Sequence, residues 1–428
     1  MLNSIFKSSL ARNTIWITAG QGLRLIIQAL YFIEIARSLG VHNYGAFVGV
    51  VALVGIVYPF GSLGGGNLLI KNVSRDETLF ADYWGRALTL TAGVGTLLLL
   101  GVSSVSHFVL PPEIPRLLVV LVAAADIFGL NIITISAHAF VAFERFNWTA
   151  AFFVMMTGGR LIGAFILIAL HPHPSALQWS FLYFGSTAVV AVITSALVST
   201  KLGLPRFAWA SAWTEMREGF YFSASQTAQT VYNDIDKTML ARLSTLDATG
   251  IYGAAYRIID VSCVPISALM VSSYPSFFRA GASGISASMS YAKPLMLRAL
   301  AYAGLVCVAL LVSAGVVPNC LGPDYAPTAE ALRWLALLPV LRAMHYSLSN
   351  ALTGAGYQSV RTSMQASVAV FNVLLNLWII PAYSWRGAAW SSIISDAVLV
   401  LGVGTAVFVL SRRSSQDAVR PIAEPACG

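Results

Sequence analysis

Tyr232–Asp260 reads YNDIDKTMLARLSTLDATGIYGAAYRIID and places Asp234, Asp236, Lys237, Arg257 and Asp260 in two consecutive segments otherwise apolar enough to cross a membrane. Ionisable groups in hydrocarbon are costly unless they face a watery cavity or one another. Both uses are open here. Asp234 with Lys237, and Arg257 with Asp260, are i,i+3 pairs able to neutralise each other on a helix face; alternatively, they line a cavity and act on what passes through it. Charge placed this sparingly in apolar helices points to an all-α integral membrane protein.

Composition agrees. Of the 428 residues, 57% are hydrophobic and only 10% charged, with a mean hydropathy of +0.74. That is too little charge to clothe a soluble surface of this size. The net charge of +8 does not indicate nucleic acid, because the 26 Lys and Arg are scattered at segment edges with no basic, aromatic-interleaved patch. Cys263, Cys307, Cys320 and Cys427 are far apart with no CxxC, so neither a disulfide framework nor a metal site is indicated. The N-terminal apolar run contains Arg24 and no small-residue cleavage site, and reads as a retained first helix.

A membrane-spanning helix needs about 20 mostly apolar residues. Twelve stretches qualify: 14–36, 45–64, 84–110, 114–140, 148–170 and 177–200 in the first half, then 219–243, 250–277, 294–317, 329–352, 359–380 and 388–410. One side of this map carries Lys7, Arg12, Lys71, Arg75, Arg86, Arg145, Lys201, Arg206, Arg217, Arg279, Lys293, Arg298, Arg361, Arg412, Arg413 and Arg420. The other carries only Arg37, Arg116, Arg242 and Arg386. This imbalance puts both termini in the cytoplasm. Outer loops are short, leaving no room for an external catalytic domain, and His171 and His173 read as loop residues beside prolines.

The halves echo each other. ARSLGVHNYGAF from Ala36 follows the first span and ARLSTLDATGIY from Ala241 follows the seventh; AHAFVAFERF and SNALTGAGYQ form a second pair at a similar offset. Six spans per half give the copies the same orientation, as in a parallel repeat. The expected organisation is an N-terminal lobe over 1–200, a cytoplasmic inter-lobe linker over 201–216, a C-terminal lobe over 217–412 and a cytoplasmic tail over 413–428.

Within the spans, Arg24, Arg160 and Arg257 lie within a few turns of the midplane at about 1.5 Å per residue. Arg342 joins them as a candidate to contact an anion. Arginine stays charged at any working pH, and its fork of donors matches phosphate bidentately. Asp126, Asp234, Asp236, Lys237 and Asp260 form a candidate coupling or charge network. Pro59 with GSLGGGN (Gly61–Asn67), Pro265, Pro275 and Pro339 interrupt spans, as is tolerated where backbone lines a cavity. The glycine run lacks GK[ST] and is no phosphate loop, and HExxH, GxSxG and clustered Cys/His are absent. No catalytic residue, metal ligand or cofactor is expected.

Five stretches in order carry a family resemblance: ARSLGVHNYGAF, DIDKTMLARL, GIYGAAYRI, LGPDYAPTAEALRWLA and NVLLNLWIIPAYSWRGAA. Over about Ala11–Leu410 the chain resembles the polysaccharide transporters, Wzx-like flippases of lipid-linked oligosaccharides in the multidrug/oligosaccharidyl-lipid/polysaccharide exporter superfamily. The resemblance implies a twelve-helix, two-lobed transporter of the MATE and lipid II flippase type, in a bacterial inner membrane, opening alternately to each side. Its cargo would be undecaprenyl-pyrophosphate-linked repeat units for O-antigen, capsule or exopolysaccharide. Its partners would be that lipid-linked oligosaccharide, the bilayer, and a polysaccharide polymerase and chain-length proteins, with no nucleic acid. Coupling to H+ or Na+ stays open. Arg24 and Arg257 match cavity arginines on the first and eighth helices of the lipid II flippase, whose two additional helices this chain lacks. Ser384 departs from the family, which often has Gly after the Pro and Tyr. The rivals are a cation-coupled multidrug exporter of the same fold and a membrane polymerase or ligase of the same pathway.

Overall fold

A computed structural model describes residues 9–207 and 216–419, with side chains over 22–207 and 216–412. The linker residues 208–215 and the tail residues 420–428 lie outside the described residues.

Among the described residues the secondary structure is helical, with no strand. Among the described residues eight segments are long and apolar enough to cross a membrane, and two of these are double. Helix α1 (Ser9–Val57) is bent at Gly40, whose φ of 70° and ψ of 168° no residue with a Cβ adopts easily. The bend separates the first and second expected spans. The longest helix, Gln358–Val419, is bent in the same way at Ser384, between the eleventh and twelfth. Two further spans are not among the eight, one because it is too polar and the other because it is split into short helices. Met216–Leu243 carries Asp234, Asp236 and Lys237, and the tenth span is assembled from two short helices, Ala326–Leu335 and Leu338–Gly354. With these, all twelve expected spans are accounted for.

The prolines act according to position. Pro59 ends α1, and the chain turns before restarting as α2 (Gly65–Val73). Pro339 sits in the first turn of its helix, where its missing N–H costs nothing. Pro265 and Pro275 lie inside Leu246–Gly281 without ending it. The ninth helix runs Ile285–Ser313, starting well before Pro294, because ISASMSYAK continues the helix with residues too polar for a hydropathy scan to include. At the start of α3 (Phe80–Val109), the Thr78 hydroxyl and amide both donate to Asp76 Oδ1, at 2.6 and 3.0 Å, and hold that exposed carboxyl below its usual range.

The chain groups into two compact units, one running to Ile251 with residues 320–324, the other comprising Tyr252–Asn319 and Tyr325 onward. The core of the first unit is aromatic: Trp84, Phe140 and Phe152 are fully buried, and Phe140 stacks on Trp148 at 5.2 Å. In the second, Ala292, Ala299 and Ala303 of Ile285–Ser313 pack with Ala343 and Ala351 of Leu338–Gly354, small residues that let helices approach closely. Met216–Leu243, which the sequence groups with the second half, packs with α1 in the first unit. Glycines allow α1 to meet it and the helix that follows: a Cβ on Gly49 would press on Ala241 Cβ at 2.9 Å, and one on Gly45 would overlap the carbonyl of Leu246, the first residue of Leu246–Gly281.

Candidate functional site

Among the described residues, most of the candidate charged residues of the spans gather in three clusters, with Arg24 and Arg257 outside them. In the first unit a π-helical turn at Ala125–Leu130 interrupts the fourth span. Such turns recur at functional sites. This one carries Asp126, which is buried. Arg160, from the helix Phe146–Leu170, donates to Asp126 Oδ1 at 3.1 Å, and the Tyr183 hydroxyl donates to the same oxygen at 2.8 Å. The Arg160 guanidinium also lies 4.0 Å from the Tyr183 ring centroid and donates to Thr187 Oγ1 at 3.4 Å. One face of the cation is thus covered by an aromatic ring and one edge by a carboxylate, an arrangement that repays part of the cost of burying charge.

The second cluster lies in the seventh span. Lys237 Nζ donates to Asp234 Oδ1 at 2.7 Å and to the Asn233 carbonyl at 2.9 Å, with Asp236 Oδ1 at 3.7 Å. Asp236 accepts from the Lys237 backbone N–H at 2.8 Å. The i,i+3 pairing expected of Asp234 and Lys237 is present.

The third cluster belongs to the second unit, where Arg342 is buried among acceptors. It donates to Asp260 Oδ1 at 2.9 Å and to the Tyr256 hydroxyl at 2.5 Å, and its Nε lies 3.8 Å from Asp396 Oδ2. His345, one turn along the same helix, has Nε2 3.8 Å from Asp396 Oδ1, and among the described residues neither ring nitrogen has a hydrogen-bond partner. Asp260 therefore faces Arg342 instead of Arg257, its i,i+3 neighbour. In the same unit Asn372 Nδ2 donates to Ser391 and Ser395 hydroxyls at 3.3 and 3.0 Å, and Asn376 Nδ2 donates to Asn372 Oδ1 at 2.9 Å.

The four candidate anion-contacting arginines thus separate. Arg160 and Arg342 are held by carboxylates. Arg24 is half-buried with its guanidinium 4.9 Å from the Phe153 ring centroid. Arg257 is half-buried, and no ion pair engages it among the described residues. Sequence reasoning passed over Tyr183, Tyr256, His345 and the Asn372 ladder. The ladder left a trace: Asn372/Asn376 and Ser391/Ser395 are polar at i,i+4 in apolar helices, as His345 is at i+3 from Arg342. The tyrosines left none, since an aromatic in a span reads as core. Among the described residues no group of His, Cys, Asp and Glu is placed to hold a metal ion.

The sequence profile of the family described as "Polysaccharide biosynthesis protein" matches residues 10–280. No curated protein sequence matches the chain. An inward-facing multidrug resistance MATE family transporter of the MOP superfamily superposes with a TM-score of 0.72 at 14% identity, over 91% of this chain and 98% of the other. The lipid II flippase MurJ, in an inward closed conformation, superposes at 0.71 with 12% identity, over 92% and 87%. A MOP superfamily transporter from Pyrococcus furiosus, described as having a binding pocket of reverse polarity, gives 0.62 and 15%, over 93% and 96%. At these identities the likeness is one of fold: an all-helical membrane transporter fold.

Proposed function

The chain belongs to the polysaccharide biosynthesis protein family, and from that premise we propose that it is a flippase. Its cargo is a polyprenyl-pyrophosphate-linked oligosaccharide repeat unit, moved by alternating access from the cytoplasmic to the periplasmic leaflet of a bacterial inner membrane to feed surface polysaccharide assembly. The observation that carries this reading is Arg257, a half-buried guanidinium in an apolar helix with no ion pair among the described residues. A charge held there without a carboxylate is costly, and a diphosphate offsets the cost with bidentate hydrogen bonds.

In this reading Arg257 and Arg24 contact the diphosphate. Arg160 and Arg342 exchange their carboxylates for it during the cycle, and the released Asp126 and Asp260, with Asp234 and Asp236, couple movement to H+ or Na+. The protein acts without a cofactor and hands its cargo to a polymerase and chain-length proteins. The multidrug-exporter reading needs carboxylates available to a lipophilic cation. Of its candidate carboxylates Asp234, Asp236 and Asp260, Asp234 and Asp260 each accept from a basic side chain here, so a cation would first have to displace Lys237 or Arg342.

The test is to remove the protein and follow the lipid-linked intermediates. Undecaprenyl-linked oligosaccharide is expected to accumulate on the cytoplasmic leaflet, and an unchanged distribution between leaflets overturns the reading. Arg257→Ala is expected to insert in normal amounts and to flip no substrate, with Arg257→Lys intermediate because it keeps the charge but loses the fork. Wild-type transport by Arg257→Ala removes it from the site.

A further inference from the structure

The break in the second span leaves a cavity. Between Val57 and Gly65 the chain turns through Leu63 and Gly64, both at positive φ. Beside the turn is a cavity of about 190 Å³ in the first unit, large enough for several waters at about 30 Å³ each and for one sugar ring. Ser62 lines it from the break, Asn67 from α2, Asn131 and His138 from the helix Asn131–Ala142, and Ser223 and Gln226 from Met216–Leu243.

Two features mark it as built for a ligand. Ser223 is 2% exposed, and its Oγ has no hydrogen-bond partner among the described residues. His138 Nδ1 is buried and likewise without a partner. It packs so closely against Gly66 that a Cβ there would overlap it. Buried polar atoms in a folded protein are nearly always hydrogen-bonded, so unmet ones on a cavity wall await something that enters. The wall also resists collapse. Asn131 Nδ2 is committed to the Tyr58 and Ile127 carbonyls, both at 3.0 Å, and the Tyr58 hydroxyl lies 3.2 Å from Thr134 Oγ1.

The chemistry of the wall selects the ligand. It presents hydroxyls, amides and one imidazole, with no Asp, Glu, Lys or Arg, so neither a phosphate nor a lipophilic cation finds its counter-charge there. A pyranose does: it carries hydroxyl donors and acceptors around a small ring whose faces are apolar, and Tyr58 and Phe222 supply aromatic surface at the wall. The span map would put the cavity at a loading position. Asn67 is one helical turn from Lys71, and Lys71 Nζ bridges to Glu218 at 2.6 Å, joining the same two helices at the end the basic residues assign to the cytoplasm.

We propose that this cavity binds one pyranose ring of the transported oligosaccharide, a sugar-reading subsite separate from the arginines that contact the diphosphate. The inference rests on the flippase reading for its cargo, and on the cavity wall alone for its ligand class.

The test uses the full chain in lipid nanodiscs with methyl glycosides of a hexose, an N-acetylhexosamine and a 6-deoxyhexose as probes, read by saturation transfer from protein to sugar ring protons. At least one glycoside is expected to bind. Ser223→Ala and Asn67→Ala should each weaken it by about three- to tenfold, the worth of one hydrogen bond. Ser223→Leu, which fills the cavity, should abolish binding, while Arg257→Ala leaves it intact. Should the leucine variant not fold, Ser223→Ala decides alone, because it removes one oxygen and adds no volume. No saturation of any glycoside by the wild type, meaning that only water occupies the cavity, overturns the proposal, as does binding indifferent to Ser223. Failure of the flippase reading looks different: glycoside binding that depends on Ser223, in a protein whose removal leaves the lipid-linked intermediates unchanged.

Discussion

Arg160 and Arg257 have the same side chain and both sit in apolar helices, yet the structure gives them opposite energetic positions. Arg160 shares a buried oxygen of Asp126 with Tyr183. Removing one member of such a pair strands the other and costs about 3–5 kcal/mol, whereas removing both is far milder. Arg160→Ala is therefore expected to lower the amount of folded protein, and Arg160→Ala with Asp126→Asn to recover most of it, measured by size-exclusion of the detergent-extracted protein. Arg257→Ala should show no such loss, and adding Asp260→Ala should then harm folding, because Asp260 serves Arg342. Equal loss in Arg160→Ala and Arg257→Ala would contradict the division. Ser384 yields a second prediction. Its φ of 53° and ψ of −137° lie in a region that side chains rarely adopt, at a cost of about 1–3 kcal/mol. Ser384→Gly is expected to raise the thermal unfolding midpoint, and a lower midpoint would mean that the serine's own contacts outweigh the strain.

At the scale of elements, small residues decide which helices meet. Gly45 and Gly49 are spaced i,i+4 on α1, the spacing that lets membrane helices approach backbone to backbone. Their missing Cβ atoms are filled by the Leu246 carbonyl and Ala241 of the chain through and after the seventh span. Gly45→Ala must push a backbone carbonyl aside, at about 1–3 kcal/mol for overpacking. Gly185→Ala, where nothing lies within 4 Å, should cost nothing. Thermal melts of the two variants check this, and equal midpoints would count against a close seam. Most elements were legible in the sequence, because a span announces itself by twenty apolar residues regardless of its neighbours. The tenth span was legible too, although it is made of two helices, since hydropathy does not register a turn at Leu335–Leu338. What hydropathy could not show was partnership. Nothing in the sequence distinguishes Arg342 from Arg257 as the partner of Asp260, because that choice depends on a helix 82 residues away. GSLGGGN hinted at a backbone-lined cavity, but not at its polar lining, because the other walls come from two separate stretches of chain.

For the molecule as a whole, the distribution of basic residues makes a claim about the membrane that helix packing does not. Sixteen Lys and Arg fall on one side of the span map and four on the other. Retention of positive charge in the cytoplasm would orient the chain with both termini inside. The structure supplies sites at which to read this. Arg145 and Arg279 are exposed near helix ends on the basic side, and Asp247 and Asp324 are exposed near ends on the other. Accessibility is thus comparable, so that a difference in labelling reports the side of the membrane and not burial. In a background with Cys263, Cys307, Cys320 and Cys427 replaced, single cysteines at Asp247 and Asp324 are expected to react with a membrane-impermeant maleimide added to whole cells. Cysteines at Arg145 and Arg279 should react only after the membrane is permeabilised. External labelling of Arg279→Cys alone would shift the span count between Asp247 and the C-terminus. External labelling of both arginine positions, with protection of both aspartate positions, would invert the protein. Inversion would place the Lys71–Glu218 end of the sugar cavity on the periplasmic face, and a subsite there would release the oligosaccharide instead of loading it.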